Sequence, residues 1–235
     1  MSDWLAAAAA EREAVRYADP ARSADGLLDL ASNDYLGLAR DPRVLAAAGA
    51  ALDHYGASAR ASRVVTGTMP VHEWLEAELC TLTRRPSALA FSSGYTANLA
   101  VLTALGDPDT LIVSDAHVHA SLIDGARLSR SPVQVFPHSD LDALESVLAR
   151  RAQSRAIVVI ESIYSVLGDA ADVGACAELC ERFDALLLID EAHGIGVAGG
   201  GRGAAAGLEN VVVTATLSKA LGSQGGAVLG PPQLR

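Results

Sequence analysis

From about residue 86 onward, short apolar runs alternate with stretches of helical spacing. The runs are "SALAFSS", "TLIVSD", "VQVFP", "AIVVIES", "ALLLIDEAHG", "NVVVTA" and "GGAVLG". They are rich in Val, Ile and Leu, and several lack the polar alternation of a half-exposed strand, which is how strands covered on both faces read. Between them, "GYTANLAVLTAL", "LDALESVLARRA" after Ser139-Asp140, and "VGACAELCERF" after Asp172 read as capped helices. Repeats of strand, helix, strand predict an α/β fold, a mostly parallel sheet sandwiched by helices. Such a sheet binds ligands at the carboxyl ends of its strands.

The first 85 residues follow another pattern. They predict a leading helix from Trp4 to about Tyr17, a short strand over "LLDLAS" (27–32), and a helix after Pro42. The Gly/Ser/Arg loop "YGASARASRVVTGT" and a helix from about Val71 follow. Residues 1–30 are expected to form an N-terminal helical arm and residues 31–235 one large domain. No internal repeat or long linker divides the chain.

Composition narrows the partners. Half the residues are hydrophobic but only 4% are aromatic, so the interior must be built from Ala, Val, Leu and Ile. A formal charge of -10 argues against nucleic acid or an anionic membrane as partner. No apolar run is long enough for a bilayer, and "MSDWLAAAAAEREAVRYADP" lacks the basic start of a signal peptide. The cytoplasm is the expected location. Cys176 and Cys180, four residues apart on one helix face, and Cys80 read as helix packing, with no metal site.

Several polar residues close these runs. Asp190 ends "LLLID", Ser165 follows "IVVIESIY", Asp115 ends "LIVSD" with His119 four residues on, and Lys219 follows "VVVTA". Lys219 is the only lysine beside seventeen arginines. An amine among apolar and small residues has its charged form disfavoured and is freer to attack a carbonyl. The usual partner of such a lysine is pyridoxal phosphate, whose ring nitrogen stays protonated opposite a carboxylate, here Asp190. A coding bias against lysine would also leave one behind by chance.

"SSGYTAN" offers Gly94 and backbone N–H groups at a helix start, where a phosphate can sit, or where there is only a cap. Thr216 could add a hydroxyl. His193, three residues past Asp190, could reach a phenolic oxygen of the cofactor, and His119 could lie flat on its ring; His117 is expected to be exposed. "LLLIDEAHG" also looks like the acidic box of nucleic-acid-dependent ATPases, but no GxxxxGK[ST] loop accompanies it.

In order along the chain, "LASNDYLGL", "GASARASRVVTGT", "FSSGYTANLA", "SDAHVHASL", "ESIYSVLGDAADV", "LLLIDEAHGIGV", "GGGRG" and "TLSKALGSQGG" resemble the α-oxoamine synthases. These are pyridoxal phosphate enzymes of the aspartate-aminotransferase-like fold (fold type I). "SSGYTANL" and "TATLSKALGSQGG" are similar to those members that join L-alanine to a pimeloyl thioester. The resemblance implies that Lys219 is the Schiff-base lysine and removes the substrate's Cα proton. It implies that Asp190 partners the ring nitrogen, and that Gly94, Tyr95, Ser165, His193 and Thr216 contact the cofactor. His119 would stack on the ring and meet substrate. Arg16, with Arg22 as competitor, matches the arginine of the arm that contacts substrate. It further implies a homodimer with an exposed apolar surface, and a smaller C-terminal domain absent from these 235 residues. A remnant that keeps the sheet without turnover is the competing expectation.

Overall fold

The computed structural model describes residues 2–14 and 28–235. Its chain divides into two compact units, Met1–Ser32 and Asn33–Arg235. The described part of the first holds helix α1 (Ser2–Ala14). The strand expected over 27–32 is absent from its described residues: 28–32 are irregular. The Asp29 carboxylate accepts the backbone N–H groups of Ala31 (3.0 Å) and Ser32 (2.9 Å). This local turn competes with extension, and Leu28 and Leu30 on either side of it are exposed.

The second unit begins with helices α2 (Pro42–Tyr55) and α3 (Pro70–Thr83). Seven strands follow: β1 (Ser87–Phe91), β2 (Thr110–Asp115), β3 (Val133–Phe136), β4 (Arg155–Glu161), β5 (Leu186–Asp190), β6 (Val211–Thr216) and β7 (Gly226–Gly230). They form one sheet in the order β1-β7-β6-β5-β4-β2-β3. Only β7 runs against its neighbours, β1 and β6. The mostly parallel sheet is thus as the apolar runs predict. Helices α4 (Gly94–Leu105), α5 (Ala120–Ser129), α6 (Leu141–Arg150) and α7 (Val173–Arg182) connect the strands.

Both faces are apolar, which is why the runs lack alternation. On β4, Ala156, Val158 and Ile160 pack with Leu144 and Leu148 of α6 and Cys176 and Cys180 of α7. Ile157 and Val159, between them, pack with Ala97 and Leu102 of α4 and Leu122 of α5. Each fully buried Val, Leu or Ile among them contributes about 1.5–3 kcal/mol. Cys176 and Cys180 therefore belong to the core, as expected, and burial pushes both thiols up to about 12.

Helix α5 was not foreseen: "ASLIDGARLS" contains Gly125 and serines at both ends. Packing overrides that weak propensity. A Cβ at Gly125 would lie 3.0 Å from the Asn98 carbonyl oxygen, so the glycine lets α5 lie close against α4.

From β2 the chain steps outward to β3, returns past β2 to β4, and continues through β5 to β6. The direction reverses between β2 and β4, and a crevice at such a reversal is where open α/β sheets bind ligands. In register, Glu161 lies opposite Asp190, and Asp190 opposite Thr214.

Candidate active site

Asp190 closes β5 with its side chain inside the protein, 5% exposed. Its Oδ1 accepts the Ala192 N–H (2.8 Å), and its Oδ2 accepts from Asn98 Nδ2 (2.7 Å). On the neighbouring strand, the turn after β6 carries Lys219. Gly222 N–H donates to the Lys219 carbonyl (2.9 Å), and Ser223 N–H to that of Leu217 (2.8 Å), which fixes the turn. Burial lowers the Lys219 amine below the usual lysine range, and the charges of Asp190 and Glu161 partly hold it up.

Lys219 Nζ lies 2.7 Å from His193 Nε2, and His193 Nδ1 lies 2.6 Å from Tyr35 Oη. Tyr35 donates to Asn33 Oδ1 (3.1 Å), so it accepts from His193, whose proton is then on Nδ1 and whose Nε2 accepts from Lys219. Burial, then the Lys219 charge, lowers the His193 pKa, so its ring stays neutral near pH 7. Tyr35 lies within "LASNDYLGL", 158 positions from His193, and that distance along the chain hides the pairing.

Glu161 closes β4 and is 2% exposed. Burial first and then the Asp190 charge push its carboxyl up to about 7. Its Oε2 accepts the Ser165 N–H (3.2 Å), while Oε1 is buried without a hydrogen-bond partner among the described residues. Ser165 itself is exposed. Glu161 opens "ESIYSVLGDAADV" with nothing in that run to mark its role; the strand register places it beside Asp190.

The start of α4 is held against the lysine-bearing segment. Ser93 caps it, accepting the Thr96 N–H (3.1 Å). A Cβ at Gly226 would collide with the backbone of Ser93 and Gly94, and one at Gly94 would lie 3.1 Å from Thr216 Cβ. The first-turn N–H groups of α4 thus open beside Thr216, whose hydroxyl donates to the Gly225 carbonyl (3.1 Å) and meets Ser218 Oγ at 2.7 Å. The Tyr95 ring turns away toward α5, its hydroxyl on Asp124 (2.6 Å). His119 caps α5, with Nδ1 2.7 Å from Ser121 Oγ. Arg16 and Arg22 lie outside the described residues.

Asp115 is turned to another task. It accepts from His117 N (2.7 Å), Ser139 N (2.8 Å) and His138 Nδ1 (2.9 Å), while His138 Nε2 meets Asp169 at 2.7 Å. The exposed His117 stacks on the His138 ring, and Tyr164 meets it edge-on. This clasp joins the segment leading to His119 to the loop that carries Ser165. Burial opposes the charged His138, but its bonds to both aspartates outweigh burial and raise its pKa. The clasp's stabilisation is therefore full below about pH 6.5, the ordinary histidine value, and is lost as pH rises through the higher folded value. Urea midpoints of the wild type are expected to exceed those of His138→Asn most at low pH, with the gap closing as pH rises above about 6.5. Parallel profiles would show that the clasp does not titrate.

The acidic-box reading fails on Glu191. Its carboxylate is buried, taking the Ser162 hydroxyl (2.7 Å) and the Ala205 N–H (2.6 Å). Gly203, at φ +97°, leaves it room; a Cβ there would lie 2.8 Å from the carboxyl carbon. Glu191 thus anchors the loop after β5 and is not open to a metal-bound water.

A buried carboxylate, a lysine amine lowered by burial and a hydroxyl-lined helix start suit a ligand with a ring nitrogen, an aldehyde and a phosphate. The family model for aminotransferase class I and II matches residues 25–235. The chain belongs to this family. It is 53% identical over 213 residues to an 8-amino-7-oxononanoate synthase of Mycobacterium tuberculosis (strain F11), covering 88% of this chain and 55% of that protein. Among solved structures, serine palmitoyltransferase from S. paucimobilis, with PLP and myriocin bound, matches with a TM-score of 0.82 and 32% identity. That match covers 86% of this chain and 53% of the other. The 8-amino-7-oxononanoate synthase of Francisella tularensis matches with a TM-score of 0.76 and 27% identity, over 89% of this chain and 60% of the other. The family's fold is that of the type I pyridoxal phosphate-dependent transferases, as the motifs imply. The chain spans 55% of the length of that mycobacterial relative.

Proposed function

We propose that this chain carries the catalytic lysine of a pyridoxal phosphate-dependent acyltransferase of the 8-amino-7-oxononanoate synthase type. The reaction joins L-alanine to a pimeloyl thioester of coenzyme A or a carrier protein. Free thiol and CO2 leave, and the amino ketone serves biotin biosynthesis. The observation that carries the reading is the half-buried Lys219 on the turn after β6, the strand that pairs with β5, which the buried Asp190 closes. The identity to the mycobacterial synthase supports the choice of substrates.

Pyridoxal phosphate, when bound, supplies the electron sink that makes an amino acid's Cα proton removable. Lys219 Nζ would hold that group by its aldehyde carbon, be released when the amino acid's amine takes its place and, once free, take the Cα proton; its lowered pKa increases the neutral fraction able to do so. Asp190 would hold a proton on the ring nitrogen. The N–H groups of Gly94 and Tyr95 and the Thr216 hydroxyl would hold the phosphate, while Ser165 and His193 would serve the phenolic oxygen. His119 would cover the ring and meet substrate, and Arg16 or Arg22 would meet substrate from the arm. Val64, Val65, Val166 and Leu167 are exposed, Val64 at 94%, and support burial of these loops in a homodimer.

The likeness to serine palmitoyltransferase favours, as second reading, the same reaction class with another amino acid, as in glycine C-acetyltransferase. With cofactor present, thiol release is expected from alanine plus pimeloyl thioester and not from glycine plus acetyl thioester. The reverse preference would replace the leading reading. Cofactor fixed on Lys219 by borohydride without any release would support the non-catalytic remnant.

A further inference from the structure

We propose that Asn98 is a positioning residue that ties Asp190 to His119 and fixes which ring nitrogen His119 offers to the site. Asn98 lies on α4 and is 3% exposed. Its Nδ2 is 2.7 Å from Asp190 Oδ2 and 2.8 Å from Ser121 Oγ. A carboxylate only accepts, so the Asn98 atom facing Asp190 is the amide nitrogen, and its second hydrogen points to Ser121. The Ser121 oxygen is thereby an acceptor, and its own proton is directed to His119 Nδ1, 2.7 Å away.

A second contact reaches the same conclusion independently. The backbone N–H of Ser121 lies 3.2 Å from His119 Nδ1, and a backbone N–H can only donate. Nδ1 therefore accepts, and in the neutral ring the proton resides on Nε2. His119 presents an N–H donor on the side away from this network.

The Asn98 amide oxygen is buried without a hydrogen-bond partner among the described residues. A residue needed only to fill space between α4 and the sheet would not carry an unmatched polar atom; an apolar side chain of similar size would fill the gap without that cost. The amide is kept for what its two N–H bonds do at once, orienting the carboxylate and, through Ser121, the imidazole. The catalytic meaning of this coupling rests on the proposed cofactor reading; the hydrogen-bond assignment does not.

The test uses cofactor-free protein with 15N-labelled histidine. Long-range proton–nitrogen correlations are expected to show His119 with an unprotonated Nδ1 and a protonated Nε2. Asn98→Asp keeps the volume but turns donor into acceptor, so the Ser121 hydroxyl swings to the new carboxylate and the His119 nitrogen resonances move toward a tautomer mixture. Asn98→Ala is expected to move the same resonances and to weaken capture of pyridoxal phosphate by Lys219 about tenfold or more, since Asp190 loses a charge-assisted bond. Ser121→Ala is expected to move the His119 resonances while leaving capture within about twofold, because Asp190 keeps Asn98. Far-UV circular dichroism separates misfolding from these effects, and Ser121→Ala serves if the Asn98 variants do not fold. Protonated Nδ1 in the wild type, or His119 resonances unmoved in every folded variant, would overturn the proposal. Failure of the wild type to capture cofactor would instead overturn the proposed function.

Discussion

Lys219→Ala is expected to abolish covalent capture of pyridoxal phosphate and to lower turnover by about 10³- to 10⁴-fold. No other lysine can take its place, since Lys219 is the chain's only one. Two functions are lost together, the nucleophile that seizes the aldehyde and the base that takes the Cα proton. Lys219→Arg should behave alike, because a guanidinium stays protonated and cannot do either. The mass of the borohydride-treated peptide spanning residue 219 reads the first function, and CO2 release from alanine the second. Residual turnover within about tenfold of wild type would remove Lys219 from the chemistry.

Asp190→Asn separates holding from activation. The amide is nearly isosteric, its oxygen can keep the Ala192 N–H, and the fold should survive. Capture on Lys219 is expected to persist at higher cofactor concentration. Turnover is expected to fall by about 10²- to 10³-fold, the scale of removing a preorganised electrostatic partner. The charge that keeps a ring nitrogen protonated is gone, so the substrate's Cα proton is held more tightly. Turnover equal to wild type with the cofactor captured would mean that Asp190 only orders the loop. The visible spectrum of the captured cofactor gives a second readout, since its protonation state alters the absorption.

What the sequence made legible follows one physical rule. Strands buried on both faces leave uninterrupted apolar runs, and the residue that ends each run sits at the strand's carboxyl end; Asp190 is legible that way, while Lys219, three residues past the end of β6, stands out as the only lysine. Helix α5 escaped because its stability comes from packing against α4 and not from its own residues. The strand expected near residue 30 failed because Asp29 bends its own backbone. Tyr35, Asn98 and Glu161 were missed for a shared reason. Each acts through a neighbour 92 to 158 positions away or across a strand register, and no local spacing encodes that. The Asp115–His138–Asp169 clasp was hidden likewise: an isolated histidine in "FPHSD" carries no sign of its two carboxylates.

The antiparallel strand β7 fills the gap between β1 and β6. Ser87 at the start of β1 pairs with Gly230, 143 positions later. A ribosome must therefore emit nearly every other strand before β1 finds its mate, and until then both β1 and β6 offer bare peptide groups to any passing chain. Nascent or truncated forms ending before about residue 225 should be the ones that chaperones retain and that clump on release.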